Sequence, residues 1–327
     1  MITITYKPKP EEKKILTELE EIEKVVFLHD SYHDRKDILE NTEVLITLFP
    51  NKELSEDELS LLSNSKRLRI VQCILSGTDH IKKDWFPNSL VLGNSGAYSS
   101  IIVEHVFAFI LFWSKNLLVN YQKLKQGVYD QNTGNILLNG KNIGIIGLGG
   151  IGREVARVAK AFNMKVLAIN TTGKTDSQYV DEIYTLEKLN YVLVNSDVVV
   201  IALPLNDKTE NLINHDNLSI MKKNAILVNV GRGPIINQRD LYYFLKDNPD
   251  FKCALDVWWS EPAFNQEFKL DYPFFELPNF WGSPHNSALT PETFSIRTKY
   301  LVENLKLRII NMREGEKQDV QQSICRE

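Results

Sequence analysis

The chain contains little cysteine. Its three cysteines, Cys73, Cys253 and Cys325, lie far apart and form no Cys-x-x-Cys pair. Structural zinc sites and disulfide frameworks both need clustered or regularly spaced cysteines. The spacing therefore argues against both, predicts no metal site, and indicates a reducing compartment.

The sequence also lacks a strong charge imbalance and a long apolar run. Its formal net charge is -4, which argues against nucleic acid as the main partner. The longest apolar stretch, residues 101–113, is interrupted by Glu104 and His105 and is too short to cross a bilayer. Residues 1–6 show no basic segment followed by an apolar one, so we expect no signal peptide. We therefore expect a cytoplasmic protein without membrane or nucleic-acid partners.

What the sequence does contain is an ordinary globular composition with alternating strand and helix patterns. A length of 327 residues suggests about two domains. Short β-branched runs alternate with polar helical stretches, which predicts α/β units. Two of the runs are almost wholly apolar, as strands buried on both faces of a parallel sheet are. Strands are predicted at 44–49, 68–75 and 90–92 in a first unit, and at 143–146, 165–169, 198–203, 225–230, 253–257 and 280–282 in a second.

A glycine-rich turn opens the second unit. The apolar run at 143–146 leads into Gly147-Leu148-Gly149-Gly150-Ile151-Gly152, and the following residues carry apolar side chains at helical spacing. Strand, glycine turn and helix together form the dinucleotide-binding fingerprint. Its first glycine allows the tight turn, the second lets the backbone approach a pyrophosphate, and the third lets the helix pack closely on the strand. The phosphates would bind at the positive end of that helix.

The helices leave two domain layouts open. A long helix, apolar on most faces, is predicted at 100–126, and an amphipathic helix at 291–311. The two α/β units could follow one another along the chain. Alternatively, the second unit is inserted into the first, and these two helices are the crossings between them.

Motifs beyond the fingerprint carry a resemblance to a known family. From about residue 71 to residue 297 the chain resembles the D-isomer-specific 2-hydroxyacid dehydrogenases. The resemblance implies two doubly wound parallel-sheet domains of the α/β class. A Rossmann coenzyme domain, residues 100–287, would be inserted into a flavodoxin-like substrate-binding domain, residues 1–99 and 288–327, and a homodimer is usual. The matching segments, in the family's order, are Ser76-Gly77-Thr78-Asp79-His80-Ile81, Asn94-Ser95-Gly96 with Val103-Glu104-His105, Leu203-Pro204 with Thr209 and Ile213-Asn214, Val228-Asn229-Val230-Gly231-Arg232-Gly233, Leu255-Asp256-Val257 with Glu261-Pro262, and Ser283-Pro284-His285.

The resemblance also implies a catalytic trio whose residue types suit the reduction of a 2-keto acid. His285 would be the general acid in reduction and the base in oxidation, because imidazole titrates near neutral pH. Glu261 would hydrogen-bond the other ring nitrogen and favour the charged form. Arg232 would bind the substrate carboxylate with its planar fork and polarise the carbonyl.

Other residues are expected around the substrate. The backbone N–H groups of Ser76 and Gly77 would hold the second carboxylate oxygen, and Phe49 would form an apolar wall that favours a compact or apolar 2-keto acid. Glu104 and His105 are interpreted as hydrogen-bond partners between domains rather than as catalysts. Trp258 and Trp259 are adjacent in the sequence. One of their rings would cover the active site near Glu261, or the two pack at an interface.

The expected ribose-binding acid is missing. The fingerprint normally calls for an acid about 20 residues on, whereas this chain has Asn170. Because no carboxylate lies at this position, a 2′-phosphate is not repelled, and the nearby hydroxyls and lysine favour its binding. NADP(H) is therefore predicted over NAD(H). The alternative is that Asn170 binds the ribose and discrimination is weak. Cofactor contacts are expected from Gly147, Gly149, Gly150, Ile151, Gly152, Asn170, Thr171, Thr172, Lys174, Leu203, Pro204, Thr209, Val230, Gly231 and Asp256, and Asp256 either touches the nicotinamide side or orients Arg232.

These inferences predict an oxidoreductase that moves a hydride between NADP(H) or NAD(H) and a small 2-keto or 2-hydroxy acid. Reduction of glyoxylate or hydroxypyruvate is the leading expectation. One rival is a cofactor-gated corepressor on the same fold, for which we would expect long disordered tails. Another is a formate or phosphite dehydrogenase, which needs no clamp for a keto-acid carboxylate and is disfavoured by the segment 76–81.

Overall fold

The computed structural model describes residues 1–31, 34–262 and 267–313. The chain forms two compact units. Unit 1 comprises Met1–Tyr98 and Thr290–Glu327, and unit 2 comprises Ser99–Leu289. The boundaries between the units therefore follow Tyr98 and Leu289. The boundaries predicted from the sequence follow residues 99 and 287.

Unit 1 contains a five-stranded parallel sheet in the order β2-β1-β3-β4-β5, the flavodoxin-like order. Its helix α4 shows how local sequence sets an end: the Ser55 hydroxyl accepts from the Glu58 N–H, and the Glu58 side chain accepts from the Ser55 N–H. The strands are Ile2–Ile4 (β1), Val25–Phe27 (β2), Val44–Thr47 (β3), Ile70–Cys73 (β4) and Leu90–Leu92 (β5); the helices are Pro10–Thr17 (α1), Arg35–Glu40 (α2), Pro50–Glu53 (α3), Glu56–Ser63 (α4) and Thr293–Arg313 (α11).

Unit 2 contains a seven-stranded parallel sheet in the order β12-β11-β10-β9-β6-β7-β8. The chain starts at β6, builds outward to β8, then crosses to β9 and builds in the other direction, as in a Rossmann fold. The strands are Asn142–Ile146 (β6), Lys165–Ile169 (β7), Glu182–Tyr184 (β8), Val198–Ile201 (β9), Ile226–Asn229 (β10), Lys252–Leu255 (β11) and Phe280–Gly282 (β12); the helices are Ser99–Ser114 (α5), Leu117–Lys125 (α6), Gly150–Ala161 (α7), Leu189–Asn195 (α8), His215–Ser219 (α9) and Gln238–Asp247 (α10). The predicted fold class is confirmed.

The prediction of one helix at 100–126 is wrong, because the chain breaks between α5 and α6. Asn116 lies there with φ of 48°, in the left-handed region that asparagine tolerates better than most residues. Its side-chain amide donates to the carbonyl of Gly134 at 2.7 Å, which holds the break. Within the described residues no single helix is long and apolar enough to cross a membrane; α5 and α6 meet that test only as a pair bent by 54°.

Three strands were not predicted from the sequence: β1, β2 and β8. Each is three residues long, which is too short to show a period, although β5 and β12 are equally short and were predicted. β2 and β8 lie at sheet edges and are only partly buried, so their sequences need no continuous apolar run. β1 is central, and Ile2 and Ile4 are fully buried.

Candidate active site

Three neighbouring strands of unit 2 bring the proposed catalytic trio to one edge of the sheet. Strands β10, β11 and β12 are adjacent and parallel, so their carboxyl ends lie side by side. Arg232 follows β10, Glu261 follows β11, and His285 follows β12. The fingerprint turn follows β6 at the same edge. Residues that are far apart in the sequence are therefore collected on the side of the sheet where ligands bind in this architecture.

The side chains of Glu261 and His285 are in direct polar contact. Nδ1 of His285 lies 2.5 Å from Oε2 of Glu261, and the two side chains are 37% and 7% exposed. Burial raises the pKa of Glu261, but the hydrogen bond and charge of His285 outweigh it, so this pKa lies below its usual value. An ionised carboxylate only accepts hydrogen bonds, so Nδ1 carries a proton. Nε2 is then the ring atom available for proton exchange.

Arg232 lies in a segment held by close backbone packing. A Cβ on Gly231 would lie 2.7 Å from the Leu203 carbonyl oxygen, and one on Gly233 would lie 2.1 Å from the carbonyl carbon of Trp258. The two glycines are therefore required by neighbouring segments and do not mark a surface turn. The positive charge of Arg232 also contributes to the lowered pKa of Glu261.

A buried asparagine fixes this segment from below. The side chain of Asn229, fully buried at the end of β10, accepts from the Gly231 N–H and donates to the Arg232 carbonyl, both at 2.9 Å. This role was not predicted from the sequence. The available signal was a polar residue at the end of an otherwise apolar buried strand, since such a group must find hydrogen-bond partners.

His285 has a backbone conformation that is uncommon for any residue other than glycine. Its φ is 50°, in the left-handed region, which costs about 1–3 kcal/mol for a residue other than glycine. The fully buried carboxylate of Asp256 accepts from the N–H groups of Asn286 and Ser287, both at 3.1 Å. Asp256, for which the sequence predicts a cofactor contact, thus bonds the segment that carries His285.

The two tryptophans pack within unit 2. Trp258 is 5% exposed, donates its backbone N–H to Oε1 of Glu261 at 2.8 Å, and donates its indole N–H to the Ser283 carbonyl at 2.9 Å. Trp259 stacks on Phe274 and donates its indole N–H to the Ile236 carbonyl at 2.7 Å. Both rings therefore support the segments that carry Glu261 and His285.

The fingerprint glycines fit a dinucleotide pyrophosphate. Gly147 has φ of 108°, and a Cβ there would lie 2.6 Å from the Ala202 carbonyl oxygen. A Cβ on Gly152 would lie 2.1 Å from the Gly147 carbonyl oxygen. Gly149 is the residue before α7, so Gly150 and Ile151 present the first backbone N–H groups of that helix. Such a helix end is where a phosphate binds.

The remaining predicted cofactor residues follow the other strands at this edge. Leu203 and Pro204 follow β9, beside Gly147. The hydroxyl of Thr209, which is 4% exposed, donates to the Pro204 carbonyl at 2.7 Å and so holds that turn. Val230 extends β10 through its N–H, which donates to the Ile201 carbonyl.

The loop after β7 is organised by Asn170. Its side-chain oxygen accepts from the N–H groups of Thr172 at 3.1 Å and Gly173 at 2.7 Å, and its amide donates to the Lys174 carbonyl at 2.8 Å. The side chains of Thr171, Thr172 and Lys174 are exposed. A guanidinium also reaches this loop, because Arg153 of α7 pairs with Asp176 at 2.8 Å. This cation, which directly follows the third fingerprint glycine, was not predicted from the sequence.

The predicted substrate residues lie at the carboxyl edge of the sheet of unit 1. Ser76 and Gly77 follow β4, and a Cβ on Gly93 would lie 2.1 Å from the Ser76 carbonyl oxygen. The Tyr98 hydroxyl and the Asn94 amide both donate to the Ile74 carbonyl, at 3.0 and 3.3 Å. The segment before Ser76 is thus firmly held.

Phe49 follows β3 at the same edge of unit 1. Glu53 accepts from the Phe49 N–H at 2.6 Å and from the Leu48 N–H at 3.2 Å, which fixes the turn. The Phe49 ring lies 5.0 Å from the His80 ring.

Comparisons with known proteins agree with this architecture. The chain is 31% identical over 260 residues to a glyoxylate reductase of Aeropyrum pernix, covering 76% of this chain and 75% of that protein. A solved structure described as a putative formate dehydrogenase from Pyrobaculum aerophilum superposes with a TM-score of 0.76 at 26% identity, covering 96% of this chain and 95% of that one.

A longer relative is matched only in part. The chain is 28% identical over 296 residues to D-3-phosphoglycerate dehydrogenase of Methanocaldococcus jannaschii, covering 90% of this chain but 54% of that protein. Residues 107–287 match the family model described as the NAD binding domain of D-isomer specific 2-hydroxyacid dehydrogenases. That match spans more than half of the chain, confirms the resemblance read from the motifs, and agrees with the Rossmann strand order of unit 2. The chain therefore belongs to the D-isomer specific 2-hydroxyacid dehydrogenase family, a family of oxidoreductases.

Proposed function

We propose that this enzyme reduces a small 2-keto acid to the D-2-hydroxy acid, with glyoxylate or hydroxypyruvate as the leading substrate and NADP(H) as the preferred cofactor. The observation that carries the proposal is the 2.5 Å contact between His285 and Glu261 at the sheet edge that also carries the dinucleotide fingerprint. A glyoxylate reductase among the relatives supports the choice of substrate.

The reaction needs a hydride, a proton and a fixed substrate. A nicotinamide cofactor held by the Gly147–Gly152 turn would supply the hydride for the carbonyl carbon. Nε2 of His285 donates its proton to the carbonyl oxygen, so the keto group becomes a hydroxyl and the imidazole becomes neutral. Glu261 holds the ring through Nδ1 and stabilises its charged form before the transfer. Arg232 binds the substrate carboxylate through charge-assisted hydrogen bonds.

The roles in unit 1 are part of the same proposal. The backbone N–H groups of Ser76 and Gly77 bind a carboxylate oxygen, and Phe49 limits the size of the substrate side chain. Homodimer formation and a cytoplasmic location stay predictions.

The preference for NADP(H) is supported by the loop after β7. It carries an asparagine in place of the acid that would repel a 2′-phosphate. Arg153 is 39% exposed and its partner Asp176 is 87% exposed, and such exposed pairs contribute little to stability. A 2′-phosphate can therefore replace Asp176 as the partner of this guanidinium.

The first experiment compares kcat/KM for NADPH and NADH with glyoxylate, hydroxypyruvate, pyruvate, bulkier 2-keto acids, formate and phosphite. We expect the two small keto acids with NADPH to give the highest values. A clear advantage for NADH contradicts the cofactor preference. Turnover of formate or phosphite alone contradicts the reaction type, and binding of NADPH without any turnover favours the corepressor alternative.

A matched pair of variants on α7 tests the cofactor preference directly. Arg153→Ala should raise KM for NADPH by roughly ten- to a hundredfold while KM for NADH changes little, because loss of one charged contact costs about 1.5–3 kcal/mol. The control is Arg157→Ala on the same helix, where the guanidinium pairs with Glu154 three residues away. Equal effects of the two variants on NADPH would contradict the assignment of Arg153.

A further inference from the structure

A serine next to His285 bonds two ionisable side chains that lie outside the catalytic trio. The hydroxyl of Ser283 donates to the Asp256 carboxylate and lies 2.9 Å from Nε2 of His105. Ser283 follows β12, Asp256 follows β11, and His105 lies on α5. Three segments of unit 2 thus meet at one hydroxyl.

The direction of these hydrogen bonds follows from the number of protons. A serine hydroxyl has one proton, and here that proton goes to a carboxylate, which can only accept. His105 must therefore donate from Nε2, so this nitrogen carries a hydrogen.

Ser283 is also fixed through its backbone. Its N–H donates to the Leu255 carbonyl at 2.9 Å. Its carbonyl accepts from the Trp258 indole at 2.9 Å and from the His285 N–H at 3.0 Å. Every polar atom of Ser283 is therefore bonded, and one of these bonds ends on His285 itself.

The carboxylate at the far end of this network holds the other side of His285. Asp256 is fully buried, and its oxygens accept from the N–H groups of Asn286 and Ser287. Oδ1 of Asp256 lies 3.8 Å from Nε2 of His105. Ser283 precedes His285 in the chain, and the residues whose N–H groups Asp256 binds follow it. The network thus holds the chain on both sides of His285, whose φ is 50°.

We propose that His105, Ser283 and Asp256 form a positioning network that keeps His285 in its left-handed backbone conformation and its ring against Glu261. None of the three exchanges a proton with the substrate. Their contribution is to keep Nε2 of His285 at the place where a proton is transferred, a role that rests on the proposed function.

The main test replaces Ser283 by alanine and threonine. Ser283→Ala removes the hydroxyl that joins His105 to Asp256 and should lower kcat on the order of tenfold to a hundredfold, because small misplacements of a reacting group have effects of that size. KM for NADPH should stay within about twofold, since an interaction made only in the transition state changes kcat rather than binding. Ser283→Thr keeps the hydroxyl and should recover most of kcat.

The matched control is Ser196→Ala. Ser196 is a fully buried serine of the same unit whose hydroxyl donates to the Val192 carbonyl. It should lower thermal stability without lowering kcat. If Ser283→Ala and Ser196→Ala change the melting temperature and kcat in the same proportion, Ser283 is merely structural and the proposal fails.

A second measurement does not depend on turnover. Diethyl pyrocarbonate acylates accessible neutral imidazoles, and peptide mapping by mass spectrometry gives the rate at each histidine. In Ser283→Ala the His285 ring should lose its fixed contact with Glu261 and react several-fold faster, while the exposed His215 reacts at an unchanged rate and serves as the internal standard. An unchanged rate at His285 together with an unchanged kcat overturns the proposal.

His105→Phe keeps the ring volume but removes the donor to Ser283. It should change kcat and the acylation rate in the same directions as Ser283→Ala, by smaller factors, since Asp256 keeps its bond to the serine. If the wild-type protein reduces no 2-keto acid, the proposed function fails, while the acylation rates still decide whether this network positions His285.

Discussion

The two units present different chemistry at the same kind of sheet edge. In unit 2 the carboxyl edge carries the ionisable side chains of Arg232, Glu261 and His285, and its buried carboxylates bond the segments on which those side chains lie. In unit 1 the corresponding edge carries the Ser76–Gly77 segment, where the backbone is the proposed binding group. Glu53 of unit 1 accepts a hydrogen bond from the turn on which it lies. Glu12 of unit 1 pairs with Arg297 on α11.

The difference shows that the strand arrangement alone does not assign a role. Both sheets are parallel and doubly wound, and both collect loops at one edge. In unit 2 replacement of a side chain should remove the chemistry. In unit 1, where the proposed binding groups are backbone N–H groups, we expect the side chains near Ser76 to act through backbone position, so a replacement should weaken substrate binding or the framework instead.

The largest expected effect is at the proton donor of unit 2. His285→Ala should lower kcat by about 10²–10⁴-fold, the range found when general acid–base catalysis is lost. The Kd for NADPH, measured by fluorescence titration, should change little. A fully active alanine variant would show that the proton comes from another group.

The framework of unit 1 should respond through stability instead. Glu12 accepts from Arg297 at 2.9 Å, and the two side chains are 2% and 9% exposed. Glu12→Gln leaves a buried guanidinium without its counter-charge and should lower the free energy of unfolding of unit 1 by about 3–5 kcal/mol. Urea titration followed by hydrogen exchange and mass spectrometry resolves the two units.

The control for that variant is Glu21→Gln. Glu21 pairs with Lys306, which lies on α11 as Arg297 does, but the side chain of Glu21 is 70% exposed. Its loss should cost about 0–1 kcal/mol. Equal costs at Glu12 and Glu21 would show that the buried pair adds nothing special to unit 1.

Two glycine variants distinguish the binding tasks of the units. A Cβ at Gly152 or at Gly93 would lie 2.1 Å from a carbonyl oxygen, of Gly147 and of Ser76 respectively. Overpacking of this kind costs about 1–3 kcal/mol, which corresponds to about five- to a hundredfold in binding. Gly152→Ala should raise the Kd for NADPH, and Gly93→Ala should raise KM for the keto acid while that Kd stays unchanged. The reverse pattern would contradict the division of tasks between the units.

The smallest effect is expected for chemical labelling of two buried cysteines, one in each unit, because burial acts on both thiols in the same way. Burial raises the pKa of Cys73 in unit 1 to about 12, and burial also raises the pKa of Cys253 in unit 2. Because the thiolate is the reactive form, labelling of either residue by a disulfide reagent should be negligible near pH 8 and should rise only in strongly alkaline solution. Mass spectrometry locates the label and separates both residues from Cys325, which lies outside the described residues. Rapid labelling of Cys73 near pH 8 would show that unit 1 opens readily.

The sequence predicted the parts of the fold that leave a local pattern. The run before Gly147 and the apolar strands at 198–203 and 225–230 lie at strands of the sheet, with ends shifted by one or two residues. The break at Asn116 was missed, because a left-handed asparagine leaves no change in the apolar pattern around it.

The candidate site was predictable only in its residue types. Motif order indicated Arg232, Glu261 and His285, but the contact between Glu261 and His285 depends on two strand ends meeting. The bonds of Asp256 to Asn286 and Ser287 and of Asn229 to Arg232 depend on backbone groups, which every residue has and no sequence pattern marks. Arg153 was overlooked because its contact with Asp176 spans 23 residues.

The way the units divide the chain sets an order of assembly during translation. Unit 2 is one continuous stretch, Ser99–Leu289, whereas unit 1 needs α11, whose Arg297 bonds Glu12 next to the N-terminus. Domains fold as units as the chain emerges from the ribosome, usually with the N-terminal one first. Here unit 1 can complete its fold only after α11 has been synthesised, and α11 follows the whole of unit 2 in the chain.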